Sequence, residues 1–437
     1  MRLLLLTFVL GTFVLVSRGN ADEEPVLVSP EMIPFGVGAF QVGQLNNYYA
    51  RDDDKGDHLR WNQSMVALMG MDSRIGTKLH TRVAMKFRRW LFAEPEYYTE
   101  KDISLGEVFG RAAFIGTIDE PVLSLTVGQT HFKYNNDAFH LGEYLLRSGA
   151  YPPFLISDFD FSKFEALGFH LNANLFEGAY THDVLLTNEK INNHQGDFSL
   201  TYITALKLAG ILEIGGGITF NRLIPMEHEP IDLNLYLDTS YAPDSTPIID
   251  SSYYKQEGTK IMGRINFDPK PLFGSDLFAD QELNFYAEIA VLGLKNQFTA
   301  YQKITERMPI MAGFHVPTFG LLDIFALEVE YYKTPNFVGF NEFQMASVPG
   351  ETWFSTQDDW RWAVYMKRSL LKDLFITGII TSDHWRLSLQ EGGTTDINFL
   401  PYNKQRVSTS RNWYWRVRLT WGINSALASI GRTRDNN

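Results

Sequence analysis

Apolar and polar residues alternate with a period of two along much of this chain. In 212–220, Leu212, Ile214, Gly216, Ile218 and Phe220 share one face, and Glu213, Gly215, Gly217 and Thr219 share the other. Successive side chains of a strand point to opposite sides, so such a run is a strand with an apolar face and a small or polar one. The segment 167–175 repeats the pattern, with Phe169 and Leu171 against Gly168, His170, Asn172 and Asn174. Near the end of the chain Trp413, Trp415, Val417, Leu419 and Trp421 alternate with Tyr414, Arg416, Arg418 and Thr420. These runs reach about ten residues, longer than the usual five or six, which suits a tilted membrane crossing.

Sixteen such segments are predicted between residues 35 and 422, and the connections between them mostly alternate short and long. Arg74–Gly76, Phe176–Gly178, Leu208–Gly210 and Leu371–Lys372 are short; 133–164, 224–257, 335–358 and 386–410 are long. One connection, 269–280, breaks the rule and opens on Pro269–Lys270–Pro271. Tight turns at one rim and long loops at the other are the pattern of a barrel that spans a membrane. The expected fold is therefore all-β: a transmembrane antiparallel barrel of about 16 strands, with short periplasmic turns and long external loops. An even strand count places both ends at one rim.

The N-terminus adds a compartment. Arg2 precedes an apolar stretch from Leu3 to Val16, and Gly19 and Ala21 precede Asp22 in the manner of a cleavage site. Residues 1–21 are expected to be a cleaved signal peptide. A short periplasmic segment, 22–29, then leads into the barrel, 30–422, and a polar tail, 423–437, follows. Mean hydropathy is −0.16, and no other apolar run approaches the roughly 18 residues a spanning helix needs, so a helical membrane protein is excluded. Aromatic residues are 14% of the chain. Trp90, Tyr97, Tyr98, Trp360, Trp362, Trp413, Trp415 and Trp421 lie at or near predicted strand ends, where Trp and Tyr favour a lipid–water boundary. There is no Cys, and a formal net charge of −12 argues against nucleic acid as a partner.

Candidate chemistry lies inside the barrel. His80, Arg82, Lys86 and Arg88 share one face of the third strand, Arg361 and Lys367 one face of the fourteenth, and Arg416 and Arg418 one face of the last. Glu288, Glu328 and Glu330 supply acids on inward positions. Charges lining a pore set the field that selects permeating solutes. Loop 133–164 is long yet rich in apolar and aromatic residues, with Asp137, Glu143 and Arg147 among them, so it needs somewhere to bury. A barrel this size has an interior wide enough to take it.

In architecture, over roughly 390 residues, the chain resembles outer-membrane porins, whose third loop folds inward as a constriction. The resemblance implies passive diffusion of small polar solutes, residence in the outer membrane, and lipid, the barrel-assembly machinery and a second copy of the chain as partners. It implies no cofactor, metal or catalysis. Two other readings are weighed: a substrate-specific channel, and a secreted soluble all-β protein that binds or cleaves glycans with a pair such as Glu328 and Glu330. The His residues show no metal-ligand spacing. The residues beyond Trp421 depart from the aromatic C-terminus usual in such barrels, which leaves an internal assembly signal within Tyr414–Trp421.

The loop asymmetry is testable because the chain is Cys-free. Single cysteines at Asn136, Ser252 and Thr395 should all react with an impermeant thiol reagent on intact cells. Protection of one or two of them after loop proteolysis would contradict a common external rim.

Overall fold

The computed structural model describes residues 30–46, 60–92, 101–147, 164–188, 198–224, 234–241, 247–254, 258–273, 278–294, 303–332, 359–382 and 413–423. The predicted leader 1–21, segment 22–29, all of the tail beyond Ile423, and loops 335–358 and 386–410 lie outside the described residues.

The strands are β1 (Glu31–Asn46), β2 (Arg60–Ile75), β3 (Leu79–Phe92), β4 (Lys101–Gly116), β5 (Pro121–Phe132) and β6 (Phe164–Leu175). Next come β7 (Tyr180–Asn188), β8 (Phe198–Leu208), β9 (Leu212–Ile224), β10 (Asn234–Tyr241), β11 (Pro247–Tyr254) and β12 (Gly258–Phe267). The last are β13 (Phe285–Leu292), β14 (Ile310–His315), β15 (Ile324–Tyr332), β16 (Asp359–Leu371), β17 (Leu374–Thr381) and β18 (Trp413–Ile423). Sixteen of them close an antiparallel barrel in chain order, β1 pairing with β18, and β10 and β11 form a separate hairpin between β9 and β12. Gly36 lies opposite Ile423, so the described chain enters and leaves at the rim that carries the short turns.

Three local departures from the sequence pattern have physical causes. The hairpin β10–β11 was not expected within 224–257: Leu235, Leu237 and Tyr241 alternate with polar residues in the first strand, but the run is short and the second strand groups its apolar and polar residues instead of alternating them. Strand β14 is only 6 residues long; Pro309, which has no N–H to donate, and Pro317 bracket it. Connection 269–280 opens on a single helical turn, Lys270–Phe273. Lys270 Nζ donates to the carbonyls of Asp280 at 2.6 Å and Glu282 at 3.0 Å. Burial alone would raise the Glu282 carboxyl, but the amides of Ala279 and Thr318 and the Thr318 hydroxyl outweigh it and hold the group below the usual carboxylate range.

Alternation sorts the side chains into two environments. The outer surface carries Met69, Val83, Ile103, Phe169, Ile214, Ile265 and Val329, all exposed. Ser64, Thr126, Thr201 and Thr219 are buried on the inner face. A continuous apolar outer band of this extent has no place in water and fits the hydrocarbon of a bilayer. The wall is uneven: β1, β2 and β4 have 16 residues each, whereas β12 has 10, β13 has 8 and β14 has 6.

Arg introduced at Ile214 or Phe169 should therefore destabilise the barrel by about 2–4 kcal/mol, whereas Arg at inward-facing Asn174 should be tolerated. Urea unfolding from lipid vesicles measures the difference; equal losses at both kinds of position would remove the two-environment account.

Candidate functional site

The segment that leaves β5 at Phe132 turns into the barrel. Its first half runs from Lys133 to Gly142, and a single helical turn, α1 (Tyr144–Arg147), follows. Two carboxylates on the short side of the wall receive its backbone. Glu328, on β15, accepts the amides of three consecutive residues: Phe139 at 2.6 Å, His140 at 3.0 Å and Leu141 at 2.6 Å. The Tyr286 hydroxyl donates a fourth hydrogen bond to it at 2.9 Å. Glu288, on β13, accepts the amides of Glu143 at 3.0 Å and Tyr144 at 2.8 Å, and the Tyr134 hydroxyl at 2.6 Å. The amides of Glu143 and Tyr144 are among those that the start of a helix leaves without an internal partner, and a carboxylate is their strongest available acceptor. Each such charge-assisted bond contributes about 1.5–3 kcal/mol.

An apolar underside accompanies the polar clamp. Leu141, Tyr144, Leu145 and Leu146 pack with Leu185, Ile203, Met262, Ala290, Leu292 and Met311 of the wall. Gly217, on the inward face of β9, makes the room: a Cβ there would stand 2.6 Å from Leu145 Cδ1. Gly142 holds φ +78 beneath Met311, where a side chain would meet both backbone strain and the Met311 methyl. Lys260 Nζ closes the far end of the turn on the Leu145 carbonyl at 3.0 Å, a cation at a helix C-terminus.

The middle of the segment reaches across to the neighbouring strands. Asn266 Nδ2 donates to the Asp137 carboxylate at 2.6 Å, and His315 Nε2 bonds the Asp137 carbonyl at 2.8 Å. The Phe139 ring stacks on Tyr365 of β16 with centroids 4.5 Å apart, and His140 Nε2 lies 3.3 Å from the Tyr414 hydroxyl of β18. Glu143 folds back on its own loop, accepting the amides of Tyr134 and Asn135.

The remaining sequence candidates divide into groups. Glu288 and Glu328 face inward, but the loop occupies their carboxylates, so Glu328 is not the half of an acid–base pair that glycan cleavage would need. Asp137 and Glu143 are both tied into the loop and its anchor. On the opposite wall Arg82 is gripped by Asp72, Nε to Oδ1 at 2.6 Å, and by Glu107, Nη1 to Oε2 at 2.8 Å. His80 lies 3.1 Å from Asp72, and His131 lies 2.7 Å from Glu107. Arg361 donates to the Ser382 carbonyl at 2.7 Å, and Arg416 lies over the Tyr414 ring at 5.5 Å. Arg418 donates to Gln41 Oε1 at 3.1 and 2.7 Å. Lys86 and Glu330 are buried. The side chains of Arg88, Arg147 and Trp90, the residues Tyr97 and Tyr98, and 148–163 of the loop lie outside the described residues.

Sequence reading missed the acids that neutralise Arg82. Glu107 was overlooked because β4 skips a residue against β3 between Leu105 and Glu107. The bulge switches the alternation, so Leu105 faces out and Glu107 faces in. Gly106, at that place, was the available signal. The wall partners Tyr286, Lys260, Asn266 and His315, and Tyr134 within the loop, carried no pattern of their own.

No protein-family profile matches the chain, and no curated protein does. Solved structures do. OprB of Pseudomonas putida is similar with a TM-score of 0.50 and 9% identity, over 90% of this chain and 94% of that one. OmpF of Salmonella typhi is similar at a TM-score of 0.47 and 9% identity, over 90% and 97%. A mutant Rhodopseudomonas blastica porin has a TM-score of 0.43 and 7% identity, over 90% and 100%. At such identities the likeness to OprB is one of fold: a closed barrel of this architecture.

The clamp predicts its own failure. Glu328→Ala should speed hydrogen exchange of the Phe139–Leu141 amides by at least about tenfold, since they lose a charged acceptor. Unchanged exchange in a variant that still assembles would show that apolar packing alone holds the loop.

Proposed function

We propose that the protein is an outer-membrane channel of the porin type, through which small polar solutes diffuse passively. The observation that carries this reading is a loop folded into the lumen of a closed barrel whose outer surface is apolar. The outer band calls for a bilayer. A polar inner wall calls for water, and a loop that enters the lumen narrows the passage. Transport rather than catalysis follows from the use of the inward acids as structural acceptors. Export by the leader 1–21, assembly through an internal signal in Tyr414–Trp421, and association with a second copy belong to the same reading. So do the pore-lining roles of His80, Arg82, Lys86, Arg88, Glu330, Arg361, Arg416 and Arg418, and the constricting role of Asp137, Glu143 and Arg147.

Purified protein should migrate faster on unboiled than on boiled SDS gels and give discrete conductance steps in planar bilayers. Deleting residues 141–151 should raise the single-channel conductance. An unchanged conductance in a deletion that still assembles would place the loop outside the path, and a folded parent that conducts nothing would remove the channel reading.

A further inference from the structure

The strands on the loop-bearing side fall short of the apolar band of a membrane barrel. On β15 the outward residues run from Tyr331 to Phe325. At about 3.3 Å per residue and a tilt of about 40°, that stretch covers a height of about 15 Å, against about 25 Å for the band. Its neighbours are no taller: β12 has 10 residues, β13 has 8 and β14 has 6. At the long-loop end the band is bounded by Tyr331 and Trp360, whose rings lie 4.8 Å apart and carry the polar edges that favour a lipid–water boundary. The missing height, about 10 Å, therefore falls at the short-turn rim.

That rim is built for it. The outward positions nearest the rim on β12, β13, β14 and β15 are Phe267, Phe285, Phe314 and Phe325. Phe285 stacks on Phe314 with centroids 4.4 Å apart and lies 6.3 Å from Phe267. A Phe ring has no polar edge to hold in water. The apolar surface then continues into the turns. Leu272 and Phe273, in the helical turn after β12, and Phe319 and Leu321, between β14 and β15, are between 61% and 78% exposed. The Phe278 and Phe319 rings, 6.3 Å apart, join the two turns.

Turn chemistry follows strand length around the rim. Phe176 precedes β7, of 9 residues, Leu371 precedes β17, of 8 residues, and both are exposed. Where strands are long, as in β2, β3 and β4 with 16, 14 and 16 residues, the turns are polar. Thr77, Lys78, Asp119 and Glu120 are exposed there, and Asp119 pairs with Arg74 at 3.0 Å.

The polar groups of the apolar turns are satisfied internally. Pro269, Pro271 and Pro317 have no N–H to satisfy. The Leu272 amide donates to the Pro269 carbonyl at 2.9 Å, and the Leu321 amide to that of Thr318 at 3.1 Å. Lys270 and Glu282 are buried, bonded to carbonyls and amides of these same turns. Backbone at membrane depth requires such internal partners. Arg368 of β16 pairs with Asp323 at 3.7 Å and donates to the Gly320 carbonyl, and its long stem can lie along hydrocarbon while its head meets the headgroups.

We propose that the turns carrying Leu272, Phe273, Phe319 and Leu321 are embedded in the membrane, their side chains against phospholipid acyl chains. The turns of the β2–β5 side stand in water. The inference rests on the membrane placement of the barrel in the reading above and assigns lipid as the partner of a surface that reading leaves open. Embedding these turns supplies the missing height without thinning the bilayer, whose cost rises with each ångström of mismatch.

The test uses the full-length Cys-free chain in phosphatidylcholine vesicles, with an environment-sensitive fluorophore on one introduced cysteine at a time. Phe319→Cys and Leu272→Cys probe the turns, Val329→Cys the lipid-facing wall and Thr77→Cys a polar turn; all four positions are exposed. Faster migration on unboiled gels verifies assembly of each. Nitroxide carried on the acyl chains should quench the two turn probes to within about twofold of the Val329 probe, and iodide on both sides should quench them at least about fivefold less than the Thr77 probe. Iodide quenching equal to that at Thr77, with Val329 still quenched by lipid, places the turns in water and overturns the inference. Protection from both quenchers shows that a second copy covers the turns, and overturns lipid as their partner. A Val329 probe that lipid does not quench overturns the membrane placement itself.

Discussion

Two buried carboxylates hold this structure to its purpose. A barrel of sixteen strands encloses more space than its own side chains fill, and something must occupy part of that space in a fixed way. Glu288 and Glu328 do so by accepting five backbone amides and two tyrosine hydroxyls from and around one loop. Backbone N–H groups buried away from water need acceptors, and a carboxylate buried without donors would be costly. Each side removes the other's penalty, so the pairing is worth more than either part suggests.

The rest of the lumen is arranged around this attachment. Strands β12 to β15 are short where the loop rests on them, and Gly217 and Gly142 clear the volume that Leu145 and Met311 enter. Burying Leu141, Leu145 and Leu146 adds about 1.5–3 kcal/mol per side chain, which makes the contact specific in shape as well as in charge. On the short side Glu288 and Glu328 are engaged beneath the loop, and on the opposite wall Arg82 is neutralised locally by Asp72 and Glu107.

Much of the fold was legible in the sequence, and the reasons differ from element to element. The alternation in 212–220 and 167–175 survives because each residue there meets either lipid or lumen, with nothing between. The short turns 176–178 and 208–210 were legible because the chain reverses over Gly178 and Gly210, both at positive φ. Inward orientation of Arg82, Glu288 and Glu328 also followed from parity. What their charges do did not follow. Glu328 serves residues 187 to 189 positions away in the chain, and a period of two carries no information about such a contact. Parity failed at β4, where the bulge at Gly106 turned Glu107 inward. The hairpin β10–β11 was passed over because its strands have only 8 residues each and the second does not alternate apolar with polar residues.

The most direct measurement of the central claim is a cross-link from the loop to β16, the wall strand beside its anchor. A Phe139→Cys, Tyr365→Cys variant of this Cys-free chain, assembled in lipid vesicles, can be treated with a short bis-methanethiosulfonate bridge. Stacking of the two native rings, 4.5 Å apart, predicts efficient internal cross-linking, and Glu288→Ala with Glu328→Ala in the same background should abolish it. A loop that never reaches the β16 wall, or one that reaches it equally well without the two carboxylates, would contradict the account.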